Sequence, residues 1–382
     1  MKDNSLKQLE KLGQSIWLDY IRRDLITSGR LRSLIENDGL RGMTSNPSIF
    51  EKAILESRDY DVDIQTMVQE GKGAKEIYES LSQHDVQDAA AEFRLLYEST
   101  GARDGYVSLE VNPHLAHNTN GTIDEARRLW NALDRQNVLI KIPATFEGLP
   151  AIQQLISEGI SINVTLLFGL LRYRQVADVF IAGLEERAAK GKPLKQVASV
   201  ASFFVSRIDT LVDPLLDELV VQGGNKEDVA RQMSGQVAIA SAKMAFQIYR
   251  EIFDSERFKK LAVNGALAQR LLWASTGTKN PDYSDIKYIE ALIGPDTVNT
   301  VTVETLDAYR DHGDPKALLE KDAERAGWIL EQLPELGISI DKVTQQLEDE
   351  GVDKFIRSFD KLTATLVLMS SRHKTENLLT VP

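Results

Sequence analysis

The order of elements along the 382-residue chain predicts an α/β protein, a TIM (β/α)8 barrel with additional helices and a C-terminal helical extension. Three observations support this prediction. Eight short runs rich in apolar and β-branched residues recur along the chain, longer helical patterns separate them, and the pattern after about residue 314 is helical. A doubly wound open sheet is the alternative that the same alternation allows.

The elements can be placed in order along the chain. The predicted strands are residues 15–20, 39–45, 106–111, 138–143, 160–168, 197–205, 270–276 and 297–303. Segments between them, such as 123–136 and 243–255, repeat apolar residues three and four positions apart, as amphipathic helices do. The long gap at 51–105 has room for two or three helices.

These patterns predict two regions. Residues 1–314 form the barrel, with a helical insertion at about 51–105, and residues 315–382 form a helical extension that packs on the barrel. We expect the last helix, around 355–368, to lean over the barrel mouth.

Composition excludes several classes of function. The net charge of −12 argues against general nucleic-acid binding and against adhesion to an anionic membrane. The absence of cysteine excludes disulfides, iron–sulfur clusters and thiol catalysis. The N-terminus lacks an apolar signal core and no run approaches 18 apolar residues, so a cytoplasmic protein is expected. Homo-oligomer formation stays open.

Side-chain alternation along the predicted strands separates an apolar face from polar groups. The opposite faces of four strands carry Lys141, Glu110, Asp19, and the pair Asn163 and Thr165, near the strand ends. In a parallel barrel these positions would lie at the C-terminal mouth, where active sites of this fold are built. An antiparallel sheet with one solvated face gives the same alternation, but the spacing between runs is mostly too long for hairpins.

Lys141 lies in the middle of the apolar run VLIKIP, residues 138–143. Burial disfavours the charged form of a lysine, and a neutral amine can attack a ketone to form a Schiff base. Asp19 and Glu110 could move the protons that this chemistry needs, and Thr165 could hold a water between them. The alternative is a lysine that extends to the surface at a strand end and pairs with a carboxylate there.

The sequence gives little support for a metal or a cofactor. Its five histidines are scattered, and the only close pair, His114 and His117, lacks a further ligand pattern. No glycine-rich nucleotide-binding motif is present. We therefore expect no metal and no cofactor.

Four segments together resemble the transaldolase family. The segment GMTSNPSIF (42–50) is similar to the family's first signature, and VLIKIPAT (138–145) resembles the second, around its Schiff-base lysine. INVTLLF (162–168) and SFFVSRIDTLVD (202–213) resemble later barrel strands. The resemblance covers about residues 5–305. The length of the chain and its helical C-terminal end are similar to those of the longer bacterial subgroup.

The resemblance implies catalytic roles for four residues. Lys141 would form the Schiff base with the ketose donor, and Glu110 and Thr165 would hold the catalytic water. Asp19 would remove the proton from the hydroxyl whose carbon–carbon bond is cleaved, and would return one to the oxygen of the acceptor.

It also implies binding roles. Asn46, Asn163 and Ser202 would hydrogen-bond the dihydroxyacetone unit, and the forked guanidinium of Arg207 would bind the phosphate.

The loop after the seventh strand departs from the family pattern. Short bacterial members place an arginine soon after a serine there, whereas this chain has a longer loop with a lysine. Ser275 and Lys279 are the candidates for the phosphate site in this loop. The alternative for Lys279 is a solvated loop lysine.

The implied activity is transfer of dihydroxyacetone from sedoheptulose 7-phosphate to glyceraldehyde 3-phosphate, giving erythrose 4-phosphate and fructose 6-phosphate in the non-oxidative pentose phosphate pathway. Related aldolases that only cleave or form fructose 6-phosphate tend to carry glutamine at the position of Glu110 and tyrosine at that of Phe204. A class I aldolase is therefore the second hypothesis. A sugar-phosphate-binding barrel without catalysis is the third.

Overall fold

A closed barrel of eight parallel strands forms the centre of the molecule in the computed structural model, which describes residues 4–379 and the side chains of residues 4–369. Each strand pairs with the next, and β8 pairs with β1 to close the barrel. The strands are β1 Gln14–Asp19, β2 Gly42–Thr44, β3 Tyr106–Glu110, β4 Val138–Pro143, β5 Ile162–Leu167, β6 Ser199–Phe204, β7 Arg270–Ala274 and β8 Thr297–Val301.

Helices surround this barrel. They are α1 Ser5–Lys11, α2 Arg23–Thr27, α3 Arg30–Asp38, α4 Pro47–Leu55, α5 Asp61–Gln69, α6 Ala74–Glu92, α7 Arg94–Ser99, α8 Thr119–Leu133, α9 Gly148–Glu158, α10 Leu170–Ala189, α11 Ser206–Gln222, α12 Glu227–Met233, α13 Val237–Phe253, α14 Glu256–Ala262, α15 Lys287–Ala291, α16 Val303–His312, α17 Ala323–Leu336 and α18 Ile340–Leu379, with a short 3-10 helix at Pro113–Leu115.

The barrel prediction is confirmed. Each of the eight predicted runs overlaps one strand of the barrel, and four helices, α4 to α7, lie between β2 and β3, where two or three were expected. None of the helices among the described residues is both long enough and apolar enough to span a membrane.

The strand register places the polar side chains of three neighbouring strands in one row. Glu110 on β3 is opposite Lys141 on β4, and Lys141 is opposite Asn163 on β5. Val138, Ile140 and other residues of alternate parity are fully buried against the helices. The hydrophobic effect therefore fixes the register, because a slip by one residue would turn the polar row into the helix-packed layer.

The end of β5 departs from the regular alternation that the sequence predicts. The pairing of β5 with β6 shifts between Val164 and Leu167, and Leu166 has a left-handed φ of 52°. The side chain of Leu166 lies under Gly351 of α18, where an added Cβ would come within 2.8 Å of it. The irregular backbone thus follows directly after Thr165 and contacts the helix above.

The helical pattern predicted after residue 314 begins later than expected. Helix α17 starts at Ala323, after Asp322 in a left-handed conformation with φ 57°. Tertiary contacts hold the segment before α17 in a non-helical conformation. Leu319 is buried against Gly294, and its backbone N–H donates to the carbonyl of Ile293 (3.0 Å). Tertiary burial of one leucine here outweighs local helix propensity.

Helix α18 crosses the C-terminal mouth of the barrel. Near its start Glu348 forms an ion pair with Arg172 of α10 (3.4 Å), and further along the Phe359 ring packs edge-on against Tyr78 of α6 at 5.3 Å between centroids. Phe355 lines the cavity at the mouth. The division of the chain at residue 314 stays a prediction, and residues 1–3 and 380–382 of the two predicted regions lie outside the described residues.

Candidate active site

A cavity of about 350 Å³ opens at the C-terminal end of the barrel, below α18. Eight of the ten site residues predicted from the sequence line it: Asp19, Asn46, Lys141, Thr165, Ser202, Arg207, Ser275 and Lys279. The other two, Glu110 and Asn163, lie behind this lining and contact residues of it. The structure therefore brings all ten predicted residues together.

Lys141 is 4 % exposed and lies between a carboxylate and a backbone carbonyl. Its Nζ is 3.3 Å from Oε2 of Glu110 and donates to the carbonyl oxygen of Ser45 at 2.8 Å. The amine is thus held by two neighbours while its tip reaches the cavity. Lys141 therefore does not extend to the surface to pair with a carboxylate there, because its partner carboxylate is itself buried.

Glu110 and Thr165 carry buried oxygens with unused hydrogen-bonding capacity. Neither the two carboxylate oxygens of Glu110 nor the hydroxyl of Thr165 has a hydrogen-bond partner among the described residues. Burial raises the pKa of Glu110 to about 7, although the nearby Lys141 ammonium works in the opposite direction. A carboxyl with this pKa can both give and take a proton near neutral pH.

Asp19 reaches the same cavity from the end of β1. Its Oδ1 accepts a hydrogen bond from the hydroxyl of Thr44 (2.7 Å), which in turn lies 2.8 Å from the hydroxyl of Thr300. Burial raises the pKa of Asp19, whereas Lys141, the Thr44 hydrogen bond and Arg207 oppose that rise. The acidic group is therefore fixed in position by hydroxyls and its proton affinity is set by burial.

A hydrogen-bonded chain connects three polar residues across β3, β5 and β6. The amide of Asn163 donates to the Ser108 hydroxyl (3.1 Å), and Oδ1 of Asn163 accepts from the hydroxyl of Ser202 (2.7 Å). All three are almost completely buried. Each hydrogen bond limits the orientation of the side chain that makes the next one, so this series of bonds fixes the rotamers of Asn163 and Ser202.

Asn46 begins α4 as its N-cap. Its side chain accepts from the backbone N–H of Ile49 (3.0 Å), and Pro47 takes the first helical position, where its missing N–H costs nothing. The same residue lines the cavity, so the capping bond also positions its amide there.

Arg207 lies at the first turn of α11 and lines the cavity. Its guanidinium lies 5.4 Å from the centroid of the Phe204 ring, and burial lowers its pKa. The hydroxyl of Ser275, a residue with a left-handed φ of 55°, lies 3.1 Å from that of Ser206. Lys279 lines the cavity from the same loop.

Sequence reasoning missed several residues of the site. Thr44 lines the cavity and the carbonyl of Ser45 accepts from Lys141; both residues belong to the segment GMTSNPSIF, so the signature itself carried a signal for them. Lys52 on α4 and Lys354 on α18 also line the cavity, and no local pattern marks either lysine. Their role depends on how distant helices pack over the mouth.

A parallel barrel with a buried amine beside one carboxylate, and with a second carboxylate in the same cavity at its mouth, is suited to carbonyl chemistry through a covalent amine adduct. The family model described as Transaldolase/Fructose-6-phosphate aldolase matches residues 16–366. This chain belongs to that family.

Relatives of known name extend over nearly the whole chain. A protein named Transaldolase from Trichodesmium erythraeum is 49% identical over 370 residues, which cover 96% of this chain and 97% of the relative. A Transaldolase 2 from Nostoc punctiforme is 46% identical, with the same coverage of 96% and 97%. A Transaldolase from Saccharopolyspora erythraea is 45% identical, covering 95% of this chain and 97% of its own length.

Proposed function

We propose that this chain acts as a transaldolase that moves a dihydroxyacetone unit between sugar phosphates in the non-oxidative pentose phosphate pathway. The donor would be sedoheptulose 7-phosphate and the acceptor glyceraldehyde 3-phosphate, with erythrose 4-phosphate and fructose 6-phosphate as products. The observation that carries this proposal is the buried amine of Lys141, 3.3 Å from Glu110 and open to the same cavity as Asp19.

In the first step the neutral amine of Lys141 attacks C2 of the ketose, and the carbinolamine then loses water to give the iminium. The departing hydroxyl needs a proton. Glu110 can supply it through a water held against Thr165, because its pKa of about 7 allows it to be protonated near neutral pH. The oxygens of both residues that lack a hydrogen bond among the described residues support this assignment.

In the second step Asp19 accepts the proton of the C4 hydroxyl. The bond between C3 and C4 breaks, its electron pair forms the C2–C3 double bond of an enamine while the C=N π pair moves to the nitrogen, and the aldehyde leaves. The acceptor aldehyde then reacts with C3, and Asp19 returns the proton to its oxygen. The raised pKa of Asp19, which results from burial, suits it to hold that proton between the two half-reactions.

The enamine must stay bound while the aldehydes exchange. Asn46, Asn163 and Ser202 can hydrogen-bond its hydroxyl groups, since their side chains are held in place by other bonds. Arg207 and Lys279 line the same cavity, and the phosphate of the sugar would extend towards them. Ser275 provides a hydroxyl to the same lining.

We also propose that the reaction needs no metal or organic cofactor, because the iminium of Lys141 is itself the electron sink. Turnover should be unchanged after dialysis against a chelator, and loss of activity that is restored by an added metal would contradict this. Cytoplasmic location and the absence of a nucleic-acid partner stay predictions from the sequence.

Acceptor dependence tests transfer against simple aldol cleavage. The purified protein is given fructose 6-phosphate with and without erythrose 4-phosphate, and products are quantified by chromatography. We expect sedoheptulose 7-phosphate and glyceraldehyde 3-phosphate only with the acceptor. Free dihydroxyacetone released at a comparable rate without acceptor would identify an aldolase instead.

The variant Asp19→Asn provides a matched control for the assignment of roles. It should still form a borohydride-reducible adduct with fructose 6-phosphate, because Lys141 and Glu110 are intact, but it should transfer at least a hundredfold more slowly. An unchanged transfer rate would remove Asp19 from the mechanism.

A further inference from the structure

Besides Lys141, four basic side chains line the cavity, and they come from four different elements of the fold. Lys52 comes from α4, Arg207 from α11, Lys279 from the loop after β7 and Lys354 from α18. Within the described residues, none of these four has a carboxylate oxygen within 4 Å, the distance that defines an ion pair. Basic side chains are therefore grouped at the cavity without a direct ion pair, and Asp19, Glu304 and Glu350 act on them only from further away.

Helix α18 holds Lys354 at the cavity through contacts one and two turns further along. The hydroxyl of Ser358 lies 2.8 Å from that of Ser48 on α4, and Lys361 forms an ion pair with Glu51 on the same helix (2.6 Å). Positions 354, 358 and 361 repeat at helical spacing and share one face of α18. Lys361 therefore has a carboxylate partner, whereas Lys354 on the same face has none within 4 Å.

The electrostatic environment of Lys354 is unfavourable for a cation. Burial lowers the pKa of its ammonium, and Arg207, Lys279, Lys52 and Arg357 lower it further by repulsion. An anion bound among these groups would relieve the repulsion, because each cation would then face an opposite charge. The arrangement thus gains stability when a dianionic ligand is present.

We propose that Lys354 of the C-terminal helix, with Lys52 of α4, binds the phosphate of the sugar substrate together with Arg207 and Lys279. This inference rests on the proposed function for the identity of the substrate, and it extends the phosphate site from the barrel loops to α18. Helix α18 is thereby part of the active site and supplies a substrate-binding residue.

The choice of a phosphorylated ligand follows from the geometry of the cavity. Arg207, Lys279 and Lys52 lie close enough to Lys354 to repel its ammonium, whereas the hydroxyl-binding residues Asn163 and Ser202 lie on strands β5 and β6. An extended sugar with its keto group at Lys141 would place its terminal phosphate among the cations. Several lysines and an arginine around one dianion provide more donors than a single residue can.

The test compares Lys354→Gln with a control on the same helix, Lys342→Gln, whose side chain is exposed at the start of α18 and lies outside the cavity lining. The donor is kept constant, and kcat/KM is measured for glyceraldehyde 3-phosphate and for unphosphorylated D-glyceraldehyde as acceptors. Binding of inorganic phosphate to each purified protein is measured in parallel by calorimetry.

We expect Lys354→Gln to lower kcat/KM for glyceraldehyde 3-phosphate about tenfold and to change that for D-glyceraldehyde less than twofold, because only the phosphorylated acceptor loses a charged hydrogen bond. Phosphate should bind about tenfold more weakly to this variant, Lys354→Arg should restore most of both losses, and Lys342→Gln should match the wild-type protein.

Equal effects on both acceptors, or unchanged phosphate affinity in Lys354→Gln, would overturn the proposal. The phosphate titration also distinguishes failure of the proposed transfer reaction from failure of the proposed phosphate site. If the wild-type protein binds phosphate through Lys354 but performs no transfer, the proposed reaction is wrong while the anion site stands. If transfer proceeds and Lys354→Gln is silent in both measurements, the phosphate role of α18 is wrong.

Discussion

The two ends of the barrel use similar charged groups in opposite ways. At the N-terminal end, Arg270 is buried and donates to the Ser15 hydroxyl (2.9 Å) and to Oδ1 of Asp104 (2.7 Å), while Ser15 donates to Oδ2 of the same carboxylate (2.9 Å). A further bond of Arg270 goes to the carbonyl of Arg103 (2.5 Å). At that end the guanidinium, the carboxylate and the hydroxyl bind one another.

At the C-terminal end the corresponding groups are left incompletely paired. Lys141 and Glu110 are also buried, yet both carboxylate oxygens and the hydroxyl of Thr165 have no hydrogen-bond partner within the part of the chain that the structure describes. Buried polar atoms without partners cost free energy. The difference indicates that the N-terminal network stabilises the fold and that the C-terminal one is arranged for a ligand.

Cavity size does not separate the two ends. A cavity of about 390 Å³ lies at the N-terminal end, close in volume to the candidate active site. Its rim arginines are paired, Arg103 with Asp296 and Arg250 with Asp254, both at 2.8 Å. We therefore place the active site by the pairing of charges, which differs between the ends, and not by volume.

The largest effect that the comparison predicts is on activity at the C-terminal end. Lys141→Met should lower the transfer rate at least ten-thousandfold, because among the described residues no other lysine forms an ion pair with Glu110. The Lys141→Met variant should remain folded at pH 6, because Glu110, which has lost its ammonium partner, can take a proton there and lose its charge. Steady-state kinetics and circular dichroism measure the two properties, and more than one per cent residual activity would contradict the assignment.

The counterpart at the N-terminal end should affect stability and leave catalysis intact. Arg270→Met leaves the buried carboxylate of Asp104 unpaired and should lower the free energy of unfolding by about 3–5 kcal/mol. Below the melting transition, kcat should stay within twofold of wild type. Adding Asp104→Asn should recover part of the stability, and a large fall in kcat without a change in denaturant midpoint would refute this division of roles.

The pH dependence of stability sharpens the comparison at Glu110. Its pKa in the folded protein is about 7, against an ordinary value of 4.5, so folding favours the protonated form. The stabilising contribution is complete below pH about 4.5 and is lost as pH rises through about 7. Between pH 5 and 8 the wild-type protein should therefore lose roughly 2–3 kcal/mol that Glu110→Gln does not lose.

Urea titrations of both proteins at several pH values measure this difference. The comparison uses the change with pH within each protein, so the cost of leaving Lys141 without its carboxylate largely cancels. Parallel pH profiles for the two proteins would mean that Glu110 titrates in its ordinary range.

The smallest predicted effect belongs to the rim of the cavity. Lys279→Ala should raise KM for fructose 6-phosphate about three- to tenfold with little change in kcat, since the side chain is exposed and other cations share the phosphate. The surface lysine variant Lys192→Ala serves as the matched control. An unchanged KM would mean that Lys279 is a solvated loop lysine that does not bind the phosphate.

Much of the site could be predicted because strand alternation is a local property. Lys141 and Glu110 are identified by their parity within apolar runs, and the barrel register then places them opposite each other. The segment around Asn46 carries its own helix signal, a capping residue followed by proline. For these residues the sequence contains the structural reason for their position.

The rest depends on contacts between distant segments. The left-handed turn at Leu166 follows from packing under Gly351, and the late start of α17 follows from burial of Leu319. Lys354 reaches the cavity only because α18 crosses the barrel mouth. Neither hydrophobic periodicity nor composition records where a distant helix docks, so these features required the structure.

The central claim is that the amine of Lys141 forms a covalent adduct with the ketose. The most direct test incubates the protein with fructose 6-phosphate, reduces with borohydride, and determines the intact mass and the modified peptide by mass spectrometry. We expect a mass gain of one reduced dihydroxyacetone unit on the peptide containing VLIKIP, and no gain in Lys141→Met. A folded wild-type protein without adduct, or an adduct on a different lysine, would contradict it.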